Sequence, residues 1–255
     1  MDFKKGDIVS RNSYGNDIIF KIINIKDGIC YLKGVEERLF ASAEEDDLRA
    51  ENDNIIEDIK IVIDSKDDRG DYFYLPPKIL HIDGDNEYLE RCLKFYKDMG
   101  IHAIGKKIKE ENIYEQLNSL LIEYKPDIII ITGHDAFYKK KGNAKDIRNY
   151  KNSKNFIKAI KVARQYEKSH EKLVIIAGAC QSYYEELIKA GANFASSPKR
   201  VNIHALDPAI IASTIALTEK NKEIDLLNLL EKTKYGSDGL GGIYTTGMMY
   251  VGYPR

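Results

Sequence analysis

A chain of 255 residues, 43% hydrophobic and 31% charged, has the composition of a globular protein and the length for one large domain or one domain plus a small module, which excludes a disordered chain. No apolar run approaches the roughly 20 residues of a membrane span, and the opening Met1-Asp2-Phe3-Lys4-Lys5 lacks the apolar core of a signal peptide. The net charge of −1 favours no partner, and Cys30, Cys92 and Cys180, with no CxxC among them, exclude a disulfide framework or zinc ribbon and fit a reducing compartment.

Residues 1–43 read as short strands: Asp7–Val9, Ile18–Ile23 and Ile29–Leu32, punctuated by Gly6, Gly15-Asn16, Asp27-Gly28 and Gly34. Asp-Gly between two β-rich runs is a hairpin signal. This spacing predicts a small SH3-like β-barrel that docks a partner and carries no chemistry. Residues 44–74 read as an acidic linker, with twelve Asp/Glu against four Lys/Arg over 44–71 and one apolar block at Ile59–Ile63.

From residue 75 to 255 the pattern is strand and helix in alternation. Strands are expected at Lys78–Ile82, Ile101–Ile104, Asp127–Thr132, Leu173–Ala177, Asn193–Ala195 and Val201–His204. Helices are expected at Asn86–Met99 (Asp85 as N-cap, Gly100 beyond the end), Tyr114–Tyr124, Lys154–Glu167, Ser182–Ala190 and Asp207–Thr218. Apolar strands without alternation imply a mostly parallel sheet covered on both faces. The fold class is therefore α/β, a doubly wound domain of caspase-like or flavodoxin-like type behind the small β module. Gly236–Arg255 is expected to close the domain as a loop or edge strand. Residues 139–172 carry twelve Lys/Arg and three Asp/Glu. A solvated helix face explains them, and a nucleic-acid patch ranks last because no reader motif accompanies it.

Sites in open α/β sheets lie beyond the C-terminal strand ends. Two such ends carry nucleophile and base chemistry. Ile131-Thr132-Gly133-His134-Asp135 aims a histidine at that edge, and Ala177-Gly178-Ala179-Cys180-Gln181 aims a cysteine at the same edge. Successive strands are usual neighbours, so the tips are expected to meet. A thiol opening a helix has its thiolate favoured by the helix dipole, and a neighbouring His takes the thiol proton and returns it to the leaving amine. Backbone N–H groups at Cys180 and in the His134 loop, Asp135 included, are expected to hold the oxyanion. Gly133 and Gly178 are expected to let backbone approach a substrate closely. The 46 positions between His134 and Cys180 and the sequence Ala179-Cys180-Gln181 also resemble the caspase pattern.

Elsewhere, His81-Ile82-Asp83-Gly84-Asp85 looks like the acidic first loop of a receiver domain. The place of a receiver's phosphoacceptor, however, holds Thr132-Gly133-His134. Asp85 is then a helix cap and Asp83 a turn residue, and neither a metal nor a cofactor is expected. A non-catalytic receiver-like interaction module is the alternative to an enzyme, and it would leave Cys180 inert. Ser196-Ser197-Pro198 is a polar loop at the same edge, and Asp207-Pro208 opens a helix.

Lys78–Asp85, Ile131–Ala136, Ala177–Ser182, Gly191–Pro198, Arg200–Pro208 and Gly239–Ile243 together resemble the sporulation-specific protease YabG family, as does the opening Lys5–Val9 with Ser13-Tyr14. The resemblance covers nearly the whole chain, with the acidic linker its loosest part. It implies a cysteine peptidase with Cys180 as nucleophile and His134 as base. It also implies action on spore coat proteins and germination precursors, in the mother cell and at the forming coat, with cleavage after Arg. An S1 pocket for Arg calls for a carboxylate, with Asp135, Glu185, Asp207 and Asp238 as candidates and Gln181, Ser196 and Ser197 as further lining. Arg69-Gly70 in the linker is a candidate self-cleavage point.

Overall fold

The computed structural model describes residues 3–51, 72–139 and 142–253. Ile59–Ile63 and Arg69-Gly70 lie outside them. The chain divides into two compact units, Met1–Ile61 and Val62–Arg255.

The first unit is an antiparallel sheet of β1 (Ile8–Arg11), β2 (Phe20–Lys26), β3 (Ile29–Gly34), β4 (Phe40–Glu44) and β5 (Leu48–Ala50), in the order β4-β3-β2-β1-β5. Asp27 and Gly28, both at positive φ, make the two-residue turn that the Asp-Gly signal predicts. Val9, Phe20, Ile22, Cys30, Leu32 and Leu48 form its core. β5 falls within the stretch expected to be linker. Its acidic surroundings hide a strand that buries Leu48 and pairs Val9 with Ala50.

A short strand, β6 (Phe73–Leu75), opens the described part of the second unit. There follow β7 (Ile79–Asp83), α1 (Asn86–Asp98), β8 (Ala103–Lys107), α2 (Ile113–Tyr124), β9 (Ile128–Thr132), α3 (Ser153–Tyr166), β10 (Val174–Ala177), α4 (Tyr184–Lys189), β11 (Phe194–Ser196), α5 (Asp207–Leu217), α6 (Leu226–Glu231), α7 (Gly236–Gly239) and β12 (Leu240–Gly242), with β13 (Tyr250–Gly252) returning to pair with β6. The central sheet runs β8-β7-β9-β10-β11-β12. Its first five strands are parallel, and β12 closes the edge antiparallel to β11.

The unbroken apolar strands have their expected cause. Ile79, Ile128, Ile130, Val174 and Ile176 pack on one face with α1 and α5. Leu80, Ile82, Ile129, Ile131, Ile175 and Ala177 pack on the other with α2, α3 and α4. Asp85 caps α1, accepting from the N–H groups of Glu87 and Tyr88 at 2.9 and 3.2 Å. α3 buries Phe156, Ala159, Ile160 and Ala163 and exposes Lys154, Lys158 and Lys161, so these lysines of the basic run lie on a solvated helix face. Residues 201–203 form no strand, contrary to the sequence expectation. Their backbone groups bond to the loop carrying Cys180 instead of to a sheet neighbour.

In this sheet β7 is the first parallel strand, and the chain steps to one side of it for β8 and to the other for β9. The crevice of a doubly wound fold opens at that switch point, outside the C-terminal strand ends.

Candidate active site

The loops leaving β7, β8, β9, β10 and β11 all emerge at the C-terminal edge of the sheet. Ile131 of β9 pairs in parallel register with Ala177 of β10. His134 and Cys180 each stand three positions beyond that pair. The two loops are tied together: Gly178 N–H donates to Ile131 O at 3.1 Å, Ser182 Oγ to Asp135 Oδ2 at 2.9 Å, and Phe137 N–H to Gln181 Oε1 at 3.2 Å.

His134 is 8% exposed and is held from several sides. Its backbone N–H donates to Glu110 Oε1 at 2.7 Å, and its carbonyl accepts from Asn152 Nδ2 at 2.8 Å. Its Nδ1 lies 3.5 Å from Glu110 Oε1, its Nε2 lies 3.9 Å from Asp85 Oδ2, and its ring meets Tyr88 at 5.8 Å. Burial raises the Glu110 pKa, but the hydrogen bonds from His134 outweigh it, and the net shift is downward. Sequence reading missed Glu110. It lies in a 3-10 turn after β8 within a charged run, and only the fold brings it to His134. A faint signal was present in two glycines: a Cβ at Gly84 or at Gly133 would overlap the Glu110 carboxylate.

Cys180 is fully buried. Its Sγ accepts the Ile203 N–H at 3.2 Å and lies 3.8 Å from Ile203 O. The loop departs from the expected helix opening. Gln181 takes a left-handed φ of 58°, and its N–H reaches Val201 O at 3.0 Å and Ser197 Oγ at 2.9 Å. α4 begins only at Tyr184 and is six residues long. Cys180 therefore stands four residues before the helix, outside the reach of its dipole. What faces the sulphur is the backbone of Ile203, its N–H as donor and its carbonyl as acceptor.

The remaining sequence candidates divide by use. Asp135 is a structural knot: it accepts from Ser153 Oγ, Ser182 Oγ (2.9 Å), Asn152 N–H (2.7 Å) and Ala136 N–H (2.9 Å). Burial pushes its carboxyl pKa up, and these hydrogen bonds pull the other way. Asp207, also buried, accepts from the N–H groups of His204 (2.9 Å) and Lys234 (3.1 Å). Ser197 Oγ lies 2.6 Å from Val201 O. Ser196 is buried, and its Oγ has no hydrogen-bond partner among the described residues. Gln181 is half-buried, and its Nε2 donates to Asn202 Oδ1 at 3.3 Å. The space over Gly133 and Gly178 is filled from within the protein, by Glu110 in the first case and by Leu187 and Ser196 in the second. Asp238 is exposed on α7. Glu185 is exposed and grips Arg200 Nη2 at 2.5 Å, with the guanidinium 5.7 and 5.3 Å from the Tyr150 and Tyr183 rings. Asp83 does more than turn the chain. It accepts Thr132 Oγ1 at 2.7 Å, and Thr132 links on to His81 (3.1 Å) and through it to Tyr96 (3.0 Å).

A cleft of about 200 Å³ lined by His170, Asn193, Glu223 and Tyr244 includes residues preceding the N-terminal ends of β10 and β11. It is at the end of the sheet opposite to His134 and Cys180. No helix among the described residues is long and apolar enough to cross a membrane.

The class of protein is a peptidase with a doubly wound α/β domain. A family model described as YabG peptidase U57 matches residues 4–68 and 57–254, so nearly the whole chain is covered. The chain belongs to that family. It is similar to the sporulation-specific protease YabG of Bacillus subtilis (strain 168), with 39% identity over 286 aligned positions that cover 100% of this chain and 99% of the relative.

Proposed function

We propose that the protein is a sporulation-specific cysteine endopeptidase in which Cys180 is the nucleophile and His134 the general base. The observation that carries this reading is the parallel register of β9 and β10. It delivers a histidine and a cysteine from equivalent positions of adjacent strands to the mouth of the sheet. The strand order supports a caspase-like or flavodoxin-like domain. The five-stranded antiparallel order of the first unit supports an SH3-like docking module.

His134 takes the thiol proton as Sγ attacks the scissile carbonyl. The tetrahedral oxyanion is held by backbone N–H groups of the two loops. Collapse expels the amine, which receives the proton from His134 and leaves a thioester on Cys180. Water, deprotonated by the same histidine, then releases the acid product and the free thiol.

Cleavage after Arg in spore coat and related spore proteins, in the mother cell and at the forming coat, completes the reading. Of the four carboxylates considered for the S1 pocket, Asp135 and Asp207 are engaged internally. Glu185 is the one we assign, because it is exposed and already binds a guanidinium, that of Arg200, beside the stacked Tyr150 and Tyr183 rings. The test is cleavage of an Arg-containing coat-protein substrate by wild type, Cys180→Ala and His134→Ala. Both variants are expected to fold, with cleavage falling by about a thousandfold or more. Full activity in Cys180→Ala would overturn the nucleophile, and a wild type with an inert thiol and no cleavage would favour the receiver-like module.

A further inference from the structure

We propose that Glu110 is a positioning residue of this site: it fixes the ring and the tautomer of His134. The inference rests on the Cys180/His134 reading above and deepens it. Glu110 is 8% exposed and comes from the loop after β8, two strands away from β9 in the sheet. One oxygen, Oε1, makes both contacts. It accepts the His134 backbone N–H at 2.7 Å, which anchors the carboxylate, and it stands 3.5 Å from Nδ1, which it faces.

The surroundings are shaped around this carboxylate. Gly84 opens the loop after β7 and Gly133 precedes the histidine, and a Cβ on either would overlap Glu110. Two separate strand ends therefore give up a side chain at the point where this one must lie. Burial alone would drive the carboxyl toward its neutral form, yet the contacts with His134 hold its pKa down. A charged acceptor at Nδ1 keeps the proton there and leaves Nε2 as the lone-pair nitrogen that accepts the thiol proton. The 3.5 Å separation is long for a hydrogen bond, as catalytic contacts often are before substrate binds, and it shortens when the imidazolium forms.

The other charged or titratable groups around His134 are Asp85, 3.9 Å from Nε2, Tyr88 against the ring, and Asp135, whose oxygens are turned to Ser153, Ser182, Asn152 and Ala136. Asp85 Oδ1 caps α1. Asp85 is on the nitrogen that must stay free for the proton transfer, so it does not substitute for Glu110.

The experiment compares full-length wild type, Glu110→Gln, Glu110→Asp and the Cys180→Ala and His134→Ala controls on one Arg-containing peptide, with kcat and KM measured from pH 5 to 9. Glu110→Gln keeps an oxygen for the His134 backbone N–H and loses the charge. It is expected to lower kcat by about 10²- to 10⁴-fold, the upper end being the loss when a carboxylate that orients a general-base histidine becomes its amide, with KM little changed. The acid limb of the kcat/KM profile should move to lower pH, because the imidazolium loses its counter-charge. Glu110→Asp should hold the acid limb in place and recover part of kcat. A folded Glu110→Gln with wild-type kcat and an unmoved acid limb overturns the inference. If Glu110→Gln does not fold, Glu110→Asp decides: its carboxylate is drawn back by a methylene, so wild-type kcat overturns the inference and a partial loss supports it. Activity retained in the Cys180→Ala or His134→Ala control would instead sink the underlying Cys/His reading.

Discussion

His134 stands among carboxylates, with Glu110 facing one ring nitrogen and Asp85 the other, whereas Cys180 stands among backbone groups and hydroxyls, its sulphur against the Ile203 N–H. Both loops leave adjacent parallel strands at the same level. The His134 loop sits beside the topological switch point, where Asp85 and Glu110 reach it from the loops after β7 and β8. The sulphur loop sits one strand further on and is wrapped by residues 197–203. The contrast separates the two loops: carboxylates surround the His134 ring on one side, and neutral hydrogen bonds on the other hold the Cys180 loop in a turn with a left-handed Gln181.

Asp135 belongs to the join between the two loops, and its loss should have the largest effect on stability. Asp135→Ala strips a buried acceptor from Ser153, Ser182 and two backbone N–H groups. The expected cost is about 3 kcal/mol in denaturant unfolding. A stability unchanged within error would mean that the carboxylate is free for substrate and is no knot.

Glu110 sharpens the base side through pH. Its folded pKa is lowered, so it adds stability that is full above the ordinary carboxylate pKa of about 4.3 and is lost as pH falls through the folded value. The gap in unfolding midpoint between wild type and Glu110→Gln should therefore be widest near neutrality and close on acidification. A gap that widens toward low pH would contradict the sign.

Glu185→Gln should be the mildest in stability, about 0.5 kcal/mol, because its pair with Arg200 is half in solvent. The same change should lower kcat/KM for an Arg substrate about tenfold or more relative to a substrate without a basic residue, through the lost charge-assisted bond. An unaltered preference would remove Glu185 from the S1 pocket.

Much of this was legible in sequence, for physical reasons. Continuous β-branched isoleucine at 128–131 favours a strand buried on both faces, and Asp85 before a helical apolar spacing is a cap. The placement of His134 and Cys180 beyond the ends of two adjacent parallel strands was legible from the unbroken apolar runs that precede them. The missed features have a common cause, which is that they are tertiary. β5 hides in an acidic stretch because pairing with β1 defines it. The late start of α4 follows from a positive φ at Gln181, a residue that is not glycine and gives no local sign of it. Glu110 looks like one more charge in a surface turn until Gly84 and Gly133 are seen to make room for it.

The most direct test of the Cys180/His134 pair is trapping. A peptidyl-Arg chloromethyl ketone is incubated with the full-length protein at neutral pH, and the adduct is located by peptide mass mapping. A single stoichiometric adduct on Cys180, formed far more slowly in His134→Ala, is the predicted result. Inactivation with the label on another residue, and Cys180 unmodified, would contradict it.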